Sequence, residues 1–196
     1  MKISFRLFSV FVLFAFLFSS CQKELSFDTT GGSGGGNNNG GGGNTGGGSG
    51  YYIRGKKDGV AFNLSAVTMA KITDLGQGII SLSLVASAGG TNMEGINIGI
   101  NFANGKSPAV GTYSEDDSSL DYSILGVYNP NSTTVVYGAG VFSPSARPLV
   151  VKILSKTNTE MTGTFEGAFY KTELSSGTIG PEFILFTEGE FKLKIQ

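Results

Sequence analysis

Glu188 and Glu190 are the residues of this chain whose type and spacing come closest to a catalytic arrangement. Two positions apart on a strand, they share one face at ~7 Å by the strand rise. That separation overlaps the carboxylate pair of a glycosidase, and it is also ordinary on any solvated strand face. A second acidic group, Glu115-Asp116-Asp117 with Asp121 close behind, offers oxygen ligands of the kind calcium takes. It lacks the ligand spacing and the glycine of a calcium loop, so a solvated acidic loop is the better reading and no metal is expected. Gly105-Lys106-Ser107 matches the tail of a phosphate-binding loop, but the glycine required five residues earlier is Ile100, and Pro108 opens no suitable helix. Tyr51-Tyr52 is either an aromatic binding platform or the packed start of a strand.

The missing residues exclude more than the present ones suggest. The chain has no histidine, which removes the commonest general base and metal ligand and every histidine-containing triad. Cys21 is the single cysteine, so the rest of the chain has no thiol for catalysis or for a cysteine zinc site. Tryptophan is absent, which weakens a sugar-stacking reading, although tyrosine can also stack. No cofactor is implied. Lys2 and Arg6 account for two of the 14 Lys+Arg; without them 12 cations face 15 acids, a net −3. Nothing in that balance suggests a nucleic-acid partner.

The elements that must position these residues are strands. Ile96, Ile98, Ile100 and Phe102 alternate with Asn97, Gly99 and Asn101. Ile80, Leu82, Leu84 and Ala86 alternate with Ser81, Ser83 and Val85. Phe165 and Phe169 share a face, and Phe191, Leu193 and Ile195 lie opposite Lys192 and Lys194. Period-two alternation marks half-buried strands, apolar inward and polar outward. Lys57-Asp58-Gly59 reads as a hairpin turn, because Asp-Gly tolerates the positive φ such turns need. Asn104-Gly105, Asn129-Pro130-Asn131, Ser143-Pro144 and Ser175-Ser176-Gly177 mark further turns. The segments near 51–56, 60–64, 67–73, 79–87, 94–102, 110–114, 120–128, 133–142, 149–155, 161–170 and 183–195 yield about nine or ten strands, two of these segments being weaker. The fold class is all-β, an antiparallel sandwich or barrel. Lys192 and Lys194 suggest that the last strand is an exposed edge.

The N-terminus has a different character. Lys2 and Arg6 precede an apolar run from Leu7 to Phe18, interrupted by Ser9 alone. As a helix that run rises only ~18 Å, too little to span a bilayer comfortably. It fits the apolar region of a signal peptide over 1–20, with small residues at the cut. Gly31 to Gly50 then holds thirteen Gly, four Asn, two Ser and one Thr. Such a stretch buries nothing and is expected to be disordered. Residues 21–50 thus form a tether with a reach of about 30 Å, followed by one domain over 51–196. Gly32-Ser33-Gly34 within the tether matches an esterase pattern without the strand-turn-helix that pattern needs.

Ser19-Ser20-Cys21 after the apolar run resembles the lipobox of bacterial lipoproteins, with Phe18 in place of the common leucine. The resemblance implies diacylglycerol on the Cys21 thiol, cleavage before it, and acylation of the new amine. Two chains hold a protein stably where one binds only marginally. Gln22-Lys23-Glu24 resembles the short tract that follows the anchor cysteine in surface-exposed lipoproteins of Bacteroidota; a solvated linker start explains it equally. Asp28-Thr29-Thr30 resembles an O-glycosylation motif of exported proteins in that phylum. Asn63-Leu64-Ser65 and Asn131-Ser132-Thr133 fit the N-glycosylation pattern, which bacterial lipoproteins seldom use. Met161-Thr162-Gly163-Thr164-Phe165-Glu166-Gly167, with Thr187-Glu188-Gly189-Glu190-Phe191, resembles the closing segment of small all-β lipoprotein domains of Bacteroidota, a family without an established activity.

The expectation is therefore an envelope protein, lipid-anchored at the outer membrane and displayed at the surface or in the periplasm. Its partners are the membrane, through the anchor, and an envelope protein or a glycan. A non-enzymatic binding module fits best. The alternatives are a glycan-acting enzyme using Glu188 and Glu190, and a purely structural envelope component.

Overall fold

Asp58 and Gly59 take φ of 47° and 80°, the two successive positive values of a tight hairpin turn. They join β1 (Tyr52–Lys57) to β2 (Val60–Leu64), with Lys57 opposite Val60. The computed structural model describes residues 50–117, 121–140 and 146–196. Cys21, the leader and the tether up to residue 49 lie outside the described residues, as does the Ser143-Pro144 turn.

Nine further strands follow: β3 (Val67–Asp74), β4 (Ile80–Gly89), β5 (Asn92–Phe102), β6 (Gly111–Ser114), β7 (Tyr122–Asn129), β8 (Val135–Ala139), β9 (Val150–Lys156), β10 (Glu160–Glu173) and β11 (Ile179–Lys194). Every expected segment forms a strand, so the described residues hold eleven rather than nine or ten. The strands are antiparallel neighbours in one sheet ordered β2-β1-β11-β10-β8-β7-β5-β4-β3, with β9 beside the first half of β10 and β6 beside β9. The sheet curls until β3, at one end of this order, meets the end of β11. Ala70 of β3 bridges Ile195 in parallel, and the Gln196 amide donates to the Ala70 carbonyl at 3.0 Å. The result is a nearly closed barrel and not a sandwich.

Two expectations are corrected. The last strand is no edge: β11 pairs with β10 on one side and β1 on the other. Lys192 points outward to Glu160 at 3.3 Å, so its charge marks the solvent face of a central strand. The outer face is also not uniformly solvated. Ser81, Asn101 and Leu125 are buried there, and the Oδ1 atoms of Asn97 and Asn101 accept no hydrogen bond among the described residues.

The alternating residues fill the interior as the pattern requires. Leu82, Leu84, Ile98 and Ile100 are fully buried, with Phe165, Phe169 and Phe191 beside them. Phe186 is the hub: its ring centroid lies 4.7 Å from Phe169, 5.2 Å from Tyr128 and 5.5 Å from Phe62. Edge-to-face and tilted pairs of this kind are each worth about 0.5–1.5 kcal/mol beyond their buried area.

Candidate functional site

The end of the barrel where β5 stops and β7 starts is closed by aromatic side chains. Phe102 is the last inward residue of β5; Tyr122, its register partner, opens β7, and Tyr113 comes from β6. Tyr113 stands edge-on to Phe102 at 5.3 Å and to Tyr122 at 5.2 Å. Two loops frame them. The Asn104-Gly105 turn has successive φ of 56° and 69°, and the Gly105 amide donates to the Gly78 carbonyl at 2.6 Å, docking the loop on the β3–β4 turn. The Ala103 amide donates to the Asp121 carbonyl at 2.8 Å, which holds the two loops together.

Between them lies an open cleft of ≈ 520 Å³, lined by Phe102, Lys106, Ser107, Tyr113, Asp117, Asp121 and Tyr122 together with Ala109. The Lys106 ammonium and the Asp121 carboxylate pair at 2.5 Å, each about half exposed. The Tyr122 hydroxyl donates to Asp117 Oδ2 at 2.8 Å and accepts from the Ser114 amide at 2.9 Å. Burial raises the Tyr122 hydroxyl above the ordinary tyrosine range, and the Asp117 carboxylate adds to the rise, so the phenol stays a donor. Tyr113 donates its hydroxyl to the Ala109 carbonyl at 2.8 Å. Both phenols are therefore anchored at the oxygen.

The acidic group splits in this arrangement. Asp117 and Asp121 line the cleft. Glu115 instead turns to β9: its Oε2 accepts from the Leu149 amide at 3.0 Å, and its own amide donates to the Leu149 carbonyl at 2.9 Å. Asp116 is exposed, its amide bonded to Ser114 Oγ. Among the described residues no three Asp, Glu, His or Cys side chains gather as metal ligands do. Lys106 and Ser107, discounted as a phosphate loop, sit on the cleft rim without any helix to follow them.

Glu188 and Glu190 have a different setting. Both are exposed on β11, and each is paired with a cation of β1: Glu188 with Lys56 at 2.7 Å, Glu190 with Arg54 at 2.7 Å. The Arg54 guanidinium donates through both Nε and Nη2 to Glu190 Oε2, which raises its pKa further. Each carboxylate thus has its own cation, and the two stand as separate ion pairs on the outer face of the sheet. Tyr52 packs at the strand start with the Arg54 guanidinium 4.4 Å from its ring centroid.

One polar cluster had no trace in the sequence pattern. The Lys57 ammonium at the first hairpin contacts Glu94 Oε1 and donates to the Tyr128 hydroxyl at 2.8 Å, and that hydroxyl donates to the same Glu94 oxygen at 2.8 Å. Tyr128 is buried, and both charged side chains are more than three-quarters buried. Burial pushes the Glu94 carboxyl up, but the hydrogen bonds from Lys57 and Tyr128 and the lysine charge outweigh it and leave it below the usual range. Burial, then the Glu94 carboxylate, hold the Tyr128 phenol far above the usual tyrosine range. The Lys57 and Glu94 charges meet each other where β5 starts and β7 ends, away from the cleft.

The aromatic group of the cleft was equally hidden. Phe102 reads as one more inward strand residue, and Tyr113 and Tyr122 belong to no long alternation. The available signal was their position, immediately beside the loops that carry Lys106 and the acids. No protein-family model, curated protein or solved structure matches this chain.

Proposed function

We propose that this chain is an exported lipoprotein, acylated at Cys21 and anchored to the outer membrane, whose β-barrel is a non-enzymatic binding module. The observation that carries the binding role is the cleft at the end of the barrel. It joins an aromatic floor to a charged and hydroxylated rim, the composition of small-ligand sites. The anchor rests on Ser19-Ser20-Cys21 and the apolar run before it. The glycine-rich stretch that follows would hold the barrel away from the membrane and let it turn toward ligands.

The two halves of this reading are tested separately. Metabolic labelling with palmitate should mark the wild-type protein and not Cys21→Ala; equal labelling of both refutes the anchor. For binding, the Cys21→Ala chain is titrated with glycan and envelope-protein panels and followed by amide NMR. Ligand-dependent shifts should concentrate on 106–113 and 121–122. Silence at those amides across the panels would sink the binding role of the cleft.

A further inference from the structure

We propose that the cleft between Lys106 and Asp121 recognises a neutral saccharide, packed into the corner made by Tyr113 and Tyr122 with its hydroxyls bonded to the rim. This rests on the binding role proposed above and specifies the ligand. Four features of the cleft select this class.

The rings are in mutual contact. Perpendicular rings at centroid separations of 5.2 and 5.3 Å fill the space between them. The edge-on pair sets the face of one ring beside the edge of the other, a corner in which one ring face can take a flat ligand face.

The rim is mixed in sign and close to neutral. Asp117 and Asp121 face one ammonium, and Asp121 already neutralises that ammonium at 2.5 Å. An anionic ligand would find the Lys106 ammonium already taken by the Asp121 carboxylate, and would meet that carboxylate as a like charge at short range. A wholly apolar ligand would strip water from Lys106, Ser107 and the two acids without replacing their hydrogen bonds.

A sugar hydroxyl both donates and accepts. A carboxylate offers about four acceptor sites, an ammonium three donors and a serine hydroxyl both. The Lys106–Asp121 pair engages a single carboxylate oxygen, Oδ2. A vicinal diol placed there can donate to Asp121 and accept from Lys106 without separating them.

The phenols are held in place before any ligand arrives. Tyr122 is fixed by Asp117 and the Ser114 amide, Tyr113 by both the carbonyl and the amide of Ala109. A preorganised corner reduces the ordering cost of binding. The cleft volume of ≈ 520 Å³ falls within the roughly 300–1,000 Å³ of small-ligand sites.

The test uses the full chain carrying Cys21→Ala, titrated by amide NMR and calorimetry. The probes are maltohexaose, cellohexaose, laminarihexaose and mannohexaose, an oligogalacturonate as the anionic control and an uncharged serine-alanine peptide. At least one neutral oligosaccharide should shift the amides of 106–113 and 121–122. Its affinity should fall at least tenfold in Tyr113→Leu and in Asp121→Asn. Should Tyr113→Leu fail to fold, Asp121→Asn and Lys106→Met alter half-exposed rim side chains and decide alone. Binding of only the galacturonate or the peptide at those amides overturns the saccharide assignment and leaves the binding role standing. No shift at those amides with any probe overturns both. A bound neutral sugar whose affinity is unchanged in all three variants places recognition elsewhere and overturns the proposal.

Discussion

A half-buried charge is stable only in company, and Glu94 shows how little of that company is local. Its partners Lys57 and Tyr128 lie 37 and 34 residues away. Lys57 reaches it across the barrel from β1, a strand that pairs with β2 and β11 and not with β5. No spacing rule in the sequence could have joined them, because the contact exists only once the sheet has curled. Glu94→Gln removes the charge and leaves the Lys57 ammonium in a largely buried place without its counter-ion. Breaking a buried pair on one side costs about 3–5 kcal/mol; with roughly a fifth of each side chain still exposed, about 2 kcal/mol is expected in urea unfolding at neutral pH. The pH dependence has two signs. The Glu94 pKa is lowered in the folded state, so its contribution is present above the unfolded glutamate pKa of about 4.3 and is lost as pH falls through the folded value. The Tyr128 pKa is raised, so its contribution is present below the unfolded tyrosine pKa of about 10 and is lost as pH rises toward the folded value. The wild type should therefore lose stability on both flanks, and Glu94→Gln should flatten the acid flank. An acid flank of unchanged steepness in that variant would assign it to other carboxylates.

At the scale of the strand, β11 carries a feature that alternation alone could not anticipate. Phe186 and Phe191 are both buried although five residues apart, and in an unbroken strand an odd spacing places side chains on opposite faces. The register slips here on both sides, between Arg54 and Lys56 of β1 and between Phe165 and Gly167 of β10. Glu188 takes a φ of 51° at the slip. This bulge resets the phase, so the alternation readable over Phe191, Leu193 and Ile195 does not continue back to Phe186. The Gly-Thr-Phe and Gly-x-Phe segments were legible as strands, and the structure gives their glycines a purpose. Gly163 is the register partner of Phe191, and Gly189 that of Phe165. Each ring lies over the facing glycine: a Cβ on Gly189 would stand 2.7 Å from two ring carbons of Phe165, and one on Gly163 would overlap the Lys152 carbonyl and the Phe191 ring. Gly163→Ala should therefore lower stability by about 2–3 kcal/mol through overpacking, measured by thermal and urea unfolding. A loss below a few tenths would mean that the Lys152 carbonyl and the Phe191 ring both move aside. Phe191→Leu in the same background makes room and should recover part of the loss, because neighbouring substitutions couple.

For the whole molecule, the sequence shows the strands and hides their order. Each alternating run is a local property, and all eleven segments are present in the structure. The order β2-β1-β11-β10 places the last strand at the centre because the chain returns to its own beginning, and no local signal encodes a return across more than a hundred residues. The cleft suffers the same concealment. Lys106, Asp117 and Asp121 stand out as loop residues, but the strand that carries Tyr113, β6, is held in the sheet by β9, far along the chain. Among the described residues, β3 is tied to the end of β11 by very few backbone contacts. The parallel bridge from Ala70 to Ile195, with the hydrogen bond from the Gln196 amide to Ala70, joins β3 to the end of β11. Ile195 also packs on the core and donates its amide to the Thr159 carbonyl at 2.9 Å. Deleting Ile195 and Gln196 removes these contacts and leaves every ladder of β10 and β11 in place. Stability should fall by about 2–3 kcal/mol, the range of a buried aliphatic side chain and its hydrogen bonds. The loss should also be uneven, because strands open in cooperative units of different stability. Amide exchange in 67–74 should quicken well before exchange in 160–170. Uniform acceleration across both segments would mean that the barrel opens as one unit and that the bridge at Ala70 is not its seam.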